Sequence, residues 1–214
     1  MVDSEHMSPF CLGILASHAG TNFQSMLDRC LTGEIPAQVG VVISNNSQSG
    51  AIKRAQKMGM PTCHLSRATH PDPEALDRAM TQSLCDHGVD LVVLAGYMKK
   101  LGPGLLQTFE NRVVNVHPSL LPAFGGQGMF GYHVHKAVLD SGCAVTGVTV
   151  HLVDEVYDHG EIIAQQVVPV IKGDTPEMLA QRVLKMEHRL YPSVVRLMAE
   201  GRIRIDGGCV NKTG

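Results

Sequence analysis

Asn115 and His117 stand two residues apart in the segment Asn115-Val116-His117-Pro118-Ser119-Leu120-Leu121-Pro122. At that spacing on an extended strand, two side chains face the same side. An amide and an imidazole therefore point together from the end of an otherwise apolar run. Polar donors converging on one point can stabilise the oxyanion that forms when a carbonyl is attacked. A lone histidine is more often structural; the pairing with an amide at a strand's carboxyl end favours a chemical role. Two prolines stiffen the chain that follows.

Other segments carry weaker signals. Ser17-His18-Ala19-Gly20-Thr21-Asn22 ends the first apolar run, and Gly20 permits a tight turn there. Thr21 and Gln24 fit a capping box at a helix start. The free N–H groups of such a start, with the helix dipole, suit a phosphate, although an ordinary capped helix fits the stretch equally well. Glu187 interrupts the apolar stripe of Val183, Leu190, Tyr191 and Val194. A buried carboxylate needs a partner, either a nearby Arg or His or a polar group of a ligand. Asp154-Glu155-Val156-Tyr157-Asp158-His159-Gly160 reads by itself as a solvated turn, and its spacing does not suit a calcium loop. Gly126-Gln127-Gly128-Met129-Phe130-Gly131 matches a dinucleotide-binding string, but it does not leave a strand directly, so a flexible glycine loop is the better reading. His133, His135, His151 and His159 leave a metallohydrolase as a minor alternative, since no H-E-x-x-H or comparable ligand spacing accompanies them.

The elements that must position these groups follow from hydrophobic pattern. Phe10–Ala16, Gln38–Ile43 and Asp90–Leu94 are short, nearly all-apolar runs, as expected of strands buried on both faces of a parallel sheet. Helical patterns near Asn22–Leu31, Gly50–Met58 and Pro73–His87 separate them. This alternation predicts an α/β fold, a mostly parallel twisted sheet with helices on both faces. Arg112–His117 adds a strand, and Cys143–Val153 with Glu161–Val170 predicts an added antiparallel pair. A long helix follows from about Thr175 to Glu200, with Asp174 and Glu177 as a capping box and Pro192 as a bend. Ligands in such sheets bind at the carboxyl ends of strands.

Composition bounds the rest. The chain has 214 residues, 44% hydrophobic and 18% charged, with a net charge of −2 and six scattered cysteines. That profile is globular and has no strong field for nucleic acid. No apolar run approaches the roughly 20 residues of a membrane helix, and the cysteine pattern suits a reducing cytoplasm rather than a disulfide scaffold.

Taken together, the segments resemble the phosphoribosylglycinamide formyltransferases, a folate-dependent family of purine synthesis. The resemblance runs from about Phe10 to Asp206. It is carried by Gly20-Thr21-Asn22, Leu94-Ala95-Gly96-Tyr97-Met98, the Asn115–Pro122 string, Asp154 through Gly160, and Glu187-His188-Arg189-Leu190-Tyr191-Pro192. It implies a single Rossmann-like domain over 1–214, with a nucleotide-binding half at about 10–110 and a folate and catalytic half at about 111–206; residues 1–8 and 207–214 would be loose tails. It implies that a formyl group passes from the co-substrate 10-formyltetrahydrofolate to the amine of glycinamide ribonucleotide, without a metal. By matching position, Asn115, His117 and Asp158 would be catalytic. Gly20, Thr21 and Asn22 would hold the substrate phosphate, and Glu187 the ribonucleotide's polar groups. Met98, Lys99 and Asn115 would border the folate. No nucleic-acid or membrane partner is implied, and monomer and homodimer both stay open. His18-Ala19 replaces the Gly-Asn common in the first turn, Lys99 stands where arginine is common, and Gln127 stands where lysine is expected. A formyltetrahydrofolate deformylase would use water as acceptor, but its second histidine is replaced here by Pro118. A nucleotide-binding sensor on the same scaffold would not need the trio.

Overall fold

The computed structural model describes residues 9–206 and 209–212. The elements in chain order are β1 (Phe10–Leu15), α1 (Thr21–Leu31), β2 (Ala37–Ser44), α2 (Gly50–Lys57), β3 (Thr62–His64), α3 (Pro73–Asp86), β4 (Leu91–Leu94), α4 (Pro103–Thr108), β5 (Val113–His117), α5 (Tyr132–Asp140), β6 (Val145–Leu152), β7 (Ile162–Pro169), α6 (Pro176–Ala199), β8 (Ile203–Asp206) and β9 (Cys209–Lys212). Seven strands form one sheet in the order β3-β2-β1-β4-β5-β6-β7, and β8 pairs with β9 separately. The strands from β1 to β5 run parallel, while β6 and β7 are antiparallel additions. The fold is the expected α/β sheet.

The two-residue period of each strand sorts its side chains into two layers. Leu12 and Ile14 of β1 join Val93, Val114 and Val150 beneath α1, α2 and α6. Cys11 and Leu15 of the same strand join Val92, Leu94 and Val113 beneath α3 and α4. Both faces are thus buried, which is why these runs carry no polar alternation. Strand order reverses between β1 and β4, so their carboxyl ends diverge and open a crevice.

Several local expectations are corrected. Gly20, with φ of 73°, is the N-cap of α1 and no side chain caps it. A Cβ at Gly20 would lie 2.8 Å from the Ala51 Cα, so close packing against α2 and the left-handed turn both require glycine. Gln24 does not complete a capping box with Thr21; its amide bonds Asp28 and its oxygen accepts from Arg54. At α6 the cap is Thr175, whose hydroxyl accepts from the Met178 N–H, rather than Asp174. Asp174 instead receives both guanidinium arms of Arg182, at 2.7 Å each, and the Ile171 N–H at 2.8 Å. The helix continues through Pro192. Proline gives the His188 carbonyl no donor, and the Ser25 hydroxyl of α1 fills that role at 3.1 Å. The closing stretch expected as a tail from residue 207 includes β9, paired with β8 and tied to the body by the Val210 N–H on the Glu161 carboxylate. Residues 1–8, 207–208 and 213–214 lie outside the described residues. The short elements β3, α4 and α5 were not anticipated.

The Asp174–Arg182 fork joins the β7–α6 turn to the second turn of α6. Arg182 holds the Asp174 carboxyl down at about 2, from an ordinary 3.8. Its contribution to stability is therefore present above the unfolded-state value and is lost as pH falls through about 2. Arg182→Met should lower the melting temperature at pH 6. Melting curves between pH 6 and pH 2 should show the gap from wild type closing towards the acid end; a gap independent of pH would contradict the assignment.

Candidate active site

Asn115 and His117 face the same side of β5, opposite His151 and Thr149 of β6 respectively. His117 and His151 are buried, so each ring nitrogen needs a partner. His117 Nε2 donates to the Phe124 carbonyl at 2.8 Å. A carbonyl only accepts, so this nitrogen carries the proton. The other nitrogen, Nδ1, faces Asp158 Oδ2 at 3.4 Å. Asp158 also accepts the Gly126 N–H at 2.9 Å. Burial pushes the Asp158 carboxyl up, but the hydrogen bond and charge of His117 and the Gly126 N–H outweigh it and hold the group below its ordinary value.

His151 has the opposite polarity. Its Nδ1 donates to the Leu152 carbonyl at 2.6 Å. Burial lowers its pKa against the raising effects of that bond and of Asp158. The neutral ring then presents a bare Nε2, 3.1 Å from Asn115 Nδ2. This contact fixes which end of the amide faces His151 and leaves the second N–H of Nδ2 for another acceptor. The role of His151 was missed from the sequence, where it counted only among metal candidates. Its place opposite Asn115 depends on a strand register that the sequence does not state.

Strain marks the same spot. Phe124 and Asp158 both have positive φ, 56° and 55°, a region aspartate visits more readily but one that is unfavourable for a bulky side chain such as phenylalanine. One supplies the carbonyl that holds His117, and the other supplies the carboxylate.

Of the remaining expected residues, Asn22, Met98, Lys99 and Glu187 line one cavity of about 560 Å³ with this trio, whereas Gly20 and Thr21 are not part of its lining. The α1 start brings Asn22, whose amide donates to Glu187 Oε2 at 2.7 Å. Glu187 is thus paired with an amide rather than with Arg or His. Burial raises its pKa, opposed by the Asn22 bond and the His117 charge. The first-turn N–H groups at Thr21 and Asn22 have no intrahelical acceptor, and their orientation suits an anion. The turn after β4 contributes Met98 and Lys99 to the lining. Ser17 joins the two turns, accepting the Met98 N–H at 2.9 Å and donating to Asn45 at 2.6 Å. The glycine loop from Gly126 to Gly131 also lines the cavity and leads into α5. Of the other histidines, His135 is buried in the lining and pushed down by burial and by His117. His159 is exposed and pairs with Asp154, while His133 packs edge-on against Phe130 and Tyr132. Among the described residues, no group of three or more His, Cys, Asp or Glu is placed to hold a metal ion.

The sequence matches the formyl transferase family over residues 12–195. The chain belongs to that family. It is 42% identical over 194 residues to the chloroplastic phosphoribosylglycinamide formyltransferase of Arabidopsis thaliana, covering 90% of this chain and 66% of that relative. It is 35% identical over 210 residues to the phosphoribosylglycinamide formyltransferase of Haemophilus influenzae, covering 95% of this chain and 97% of the relative. Glycinamide ribonucleotide transformylase 1 from Symbiobacterium toebii superposes with a TM-score of 0.90 at 43% identity, over 96% of this chain and 95% of that one. The fold and family expected from the sequence are both borne out.

Glu187 sets stability against site chemistry. A carboxyl whose pKa is raised in the folded state destabilises the fold when ionised and imposes no such penalty below its unfolded value. Glu187→Gln should therefore melt a few degrees higher than wild type at pH 8, and the advantage should vanish as pH approaches 4. Thermal melts across that range decide the point; a variant less stable at pH 8 would show that the ionised carboxylate holds the fold together.

Proposed function

We propose that this protein transfers the formyl group of 10-formyltetrahydrofolate to the amine of glycinamide ribonucleotide. The observation that carries the reading is the convergence on one cavity of Asn115, His117 and Asp158 with the Asn22–Glu187 pair at the start of α1. The names of the full-length relatives agree with it. In this reading Gly20, Thr21 and Asn22 receive the ribonucleotide phosphate, Glu187 binds its polar groups, and Met98 and Lys99 border the folate.

The chemistry follows from the hydrogen-bond polarity. The neutral amine attacks the formyl carbon, and the carbonyl oxygen becomes an oxyanion. The uncommitted N–H of Asn115 donates to it. His117, whose Nδ1 faces Asp158, donates once its Nε2 exchanges the Phe124 carbonyl for the substrate oxygen. The amine nitrogen loses a proton, the bond from the formyl carbon to the folate nitrogen breaks, and that nitrogen takes up a proton. Asp158 and bound water are the relay between the two nitrogens. No step needs a metal. Both substrates are small molecules. We assign the protein to the cytoplasm, a reading supported by the free state of Cys11, Cys30, Cys63, Cys85 and Cys143. No helix among the described residues is long and apolar enough to cross a membrane.

Tetrahydrofolate release from 10-formyltetrahydrofolate should require glycinamide ribonucleotide. Equal release in water alone would make the protein a hydrolase, and no release under either condition would make it a binding module. Dialysis against a chelator should leave the rate unchanged; a loss restored by added zinc would draw the buried histidines into a ligand set.

A further inference from the structure

The segment 119–126 hydrogen-bonds the reacting groups through its main chain. The Phe124 carbonyl holds His117, and the Gly126 N–H holds Asp158. Main-chain groups position a side chain only as well as the loop itself is held. The loop's restraints lie on the neighbouring strands. Thr149 pairs with His117 across β5 and β6, and Gln165 pairs with Thr149 across β6 and β7. The three therefore form a row across the sheet.

Thr149 is fully buried. Its hydroxyl donates to the Ser119 carbonyl at 2.7 Å and accepts the Leu121 N–H at 3.0 Å. The Gln165 amide reaches the same loop from the edge strand, donating to the Leu121 carbonyl at 2.9 Å and to the Thr149 hydroxyl at 3.0 Å. Ser119 carries the restraint onward, donating to the Ala123 carbonyl at 2.6 Å beside Phe124. Gly147, two residues before Thr149, leaves room for Leu120: a Cβ there would lie 2.3 Å from Leu120 Cδ2. A polar clasp and an apolar seat thus dock the loop on the strands that carry the site. The strained φ of Phe124 persists only where its surroundings over-determine it, and this clasp supplies that determination.

We propose that Thr149 and Gln165 are positioning residues for the His117–Asp158 pair, acting through the main chain of residues 119–126. The kinetic part of this inference rests on the formyl-transfer reading; the structural part does not. Thr149→Val keeps the shape and removes both hydrogen-bonding functions, Thr149→Ser restores them, and Gln165→Met loosens only the outer half of the clasp.

Two measurements test the proposal on the full chain. In protein labelled with ¹⁵N-histidine, the wild-type His117 ring should show a protonated, hydrogen-bonded Nε2. Thr149→Val should change its nitrogen shifts, and Thr149→Ser should return them. In the formyl-transfer assay, Thr149→Val should lower kcat by roughly ten- to a hundredfold, the scale of a small misplacement of reacting groups. KM for the amine should move far less than kcat, and Thr149→Ser should recover the rate. Should Thr149→Val not fold, Gln165→Met provides the same comparison with a smaller change. Unchanged His117 shifts in a folded Thr149→Val protein would overturn the proposal, as would an unchanged kcat accompanied only by a lower melting temperature. Wild-type protein without formyl-transfer activity would remove the catalytic reading, and the nitrogen shifts would still decide whether the clasp positions His117.

Discussion

A buried imidazole is fixed by the partners of its two nitrogens, and two such rings with opposite assignments set the polarity of this site. His117 gives its Nε2 proton to Phe124 and turns Nδ1 to a carboxylate. His151 gives its Nδ1 proton to Leu152 and turns a bare Nε2 to an amide. One ring thereby presents its Nε2 proton to an oxygen, and the other presents a bare Nε2 to an amide. Asn115 is oriented by His151, and Asp158 faces His117. This division arises from the sheet, because Asn115, His117 and His151 share one face of β5 and β6.

The rest of the fold delivers partners to that face. The parallel strands end together, so the turns after β1 and β4 meet the end of β5. Ser17 bonds the first of these turns to the second. The long helix α6 packs across the opposite layer and sends Glu187 towards Asn22. Tyr191, on the next turn of α6, fastens the helix to the sheet by donating its one hydroxyl proton to the Val114 carbonyl at 2.8 Å, with the Leu94 carbonyl at 3.2 Å sharing it. The site also holds features that oppose stability: a buried carboxyl raised in pKa and Phe124 at positive φ. Such features persist where surrounding packing compensates for them.

Much of this was legible in the sequence, for identifiable reasons. The all-apolar runs specified buried parallel strands, and the period of two placed Asn115 beside His117. Glu187 stood out because it broke an apolar stripe. Asp158 could not be distinguished from a solvated turn by its own neighbours, and its role came from the resemblance. Contacts across strands were not legible. The opposition of His151 to Asn115 and of Thr149 to His117 is a matter of register, and register is set by the assembled sheet. The helix caps failed for a related reason. Thr21 and Asp174 each fit a local capping pattern, but tertiary packing gave the cap to Gly20 and Thr175 and gave Asp174 to Arg182. The short elements β3 and α4 are too brief to show a period.

The account turns on Asn115 as the donor that meets the oxyanion. The most direct test is the single-turnover rate of Asn115→Ala with both substrates saturating, alongside calorimetric affinities for each substrate. The account predicts a rate at least about a hundredfold below wild type, the scale for losing one such donor, with affinities little changed. A single-turnover rate near wild type would contradict it.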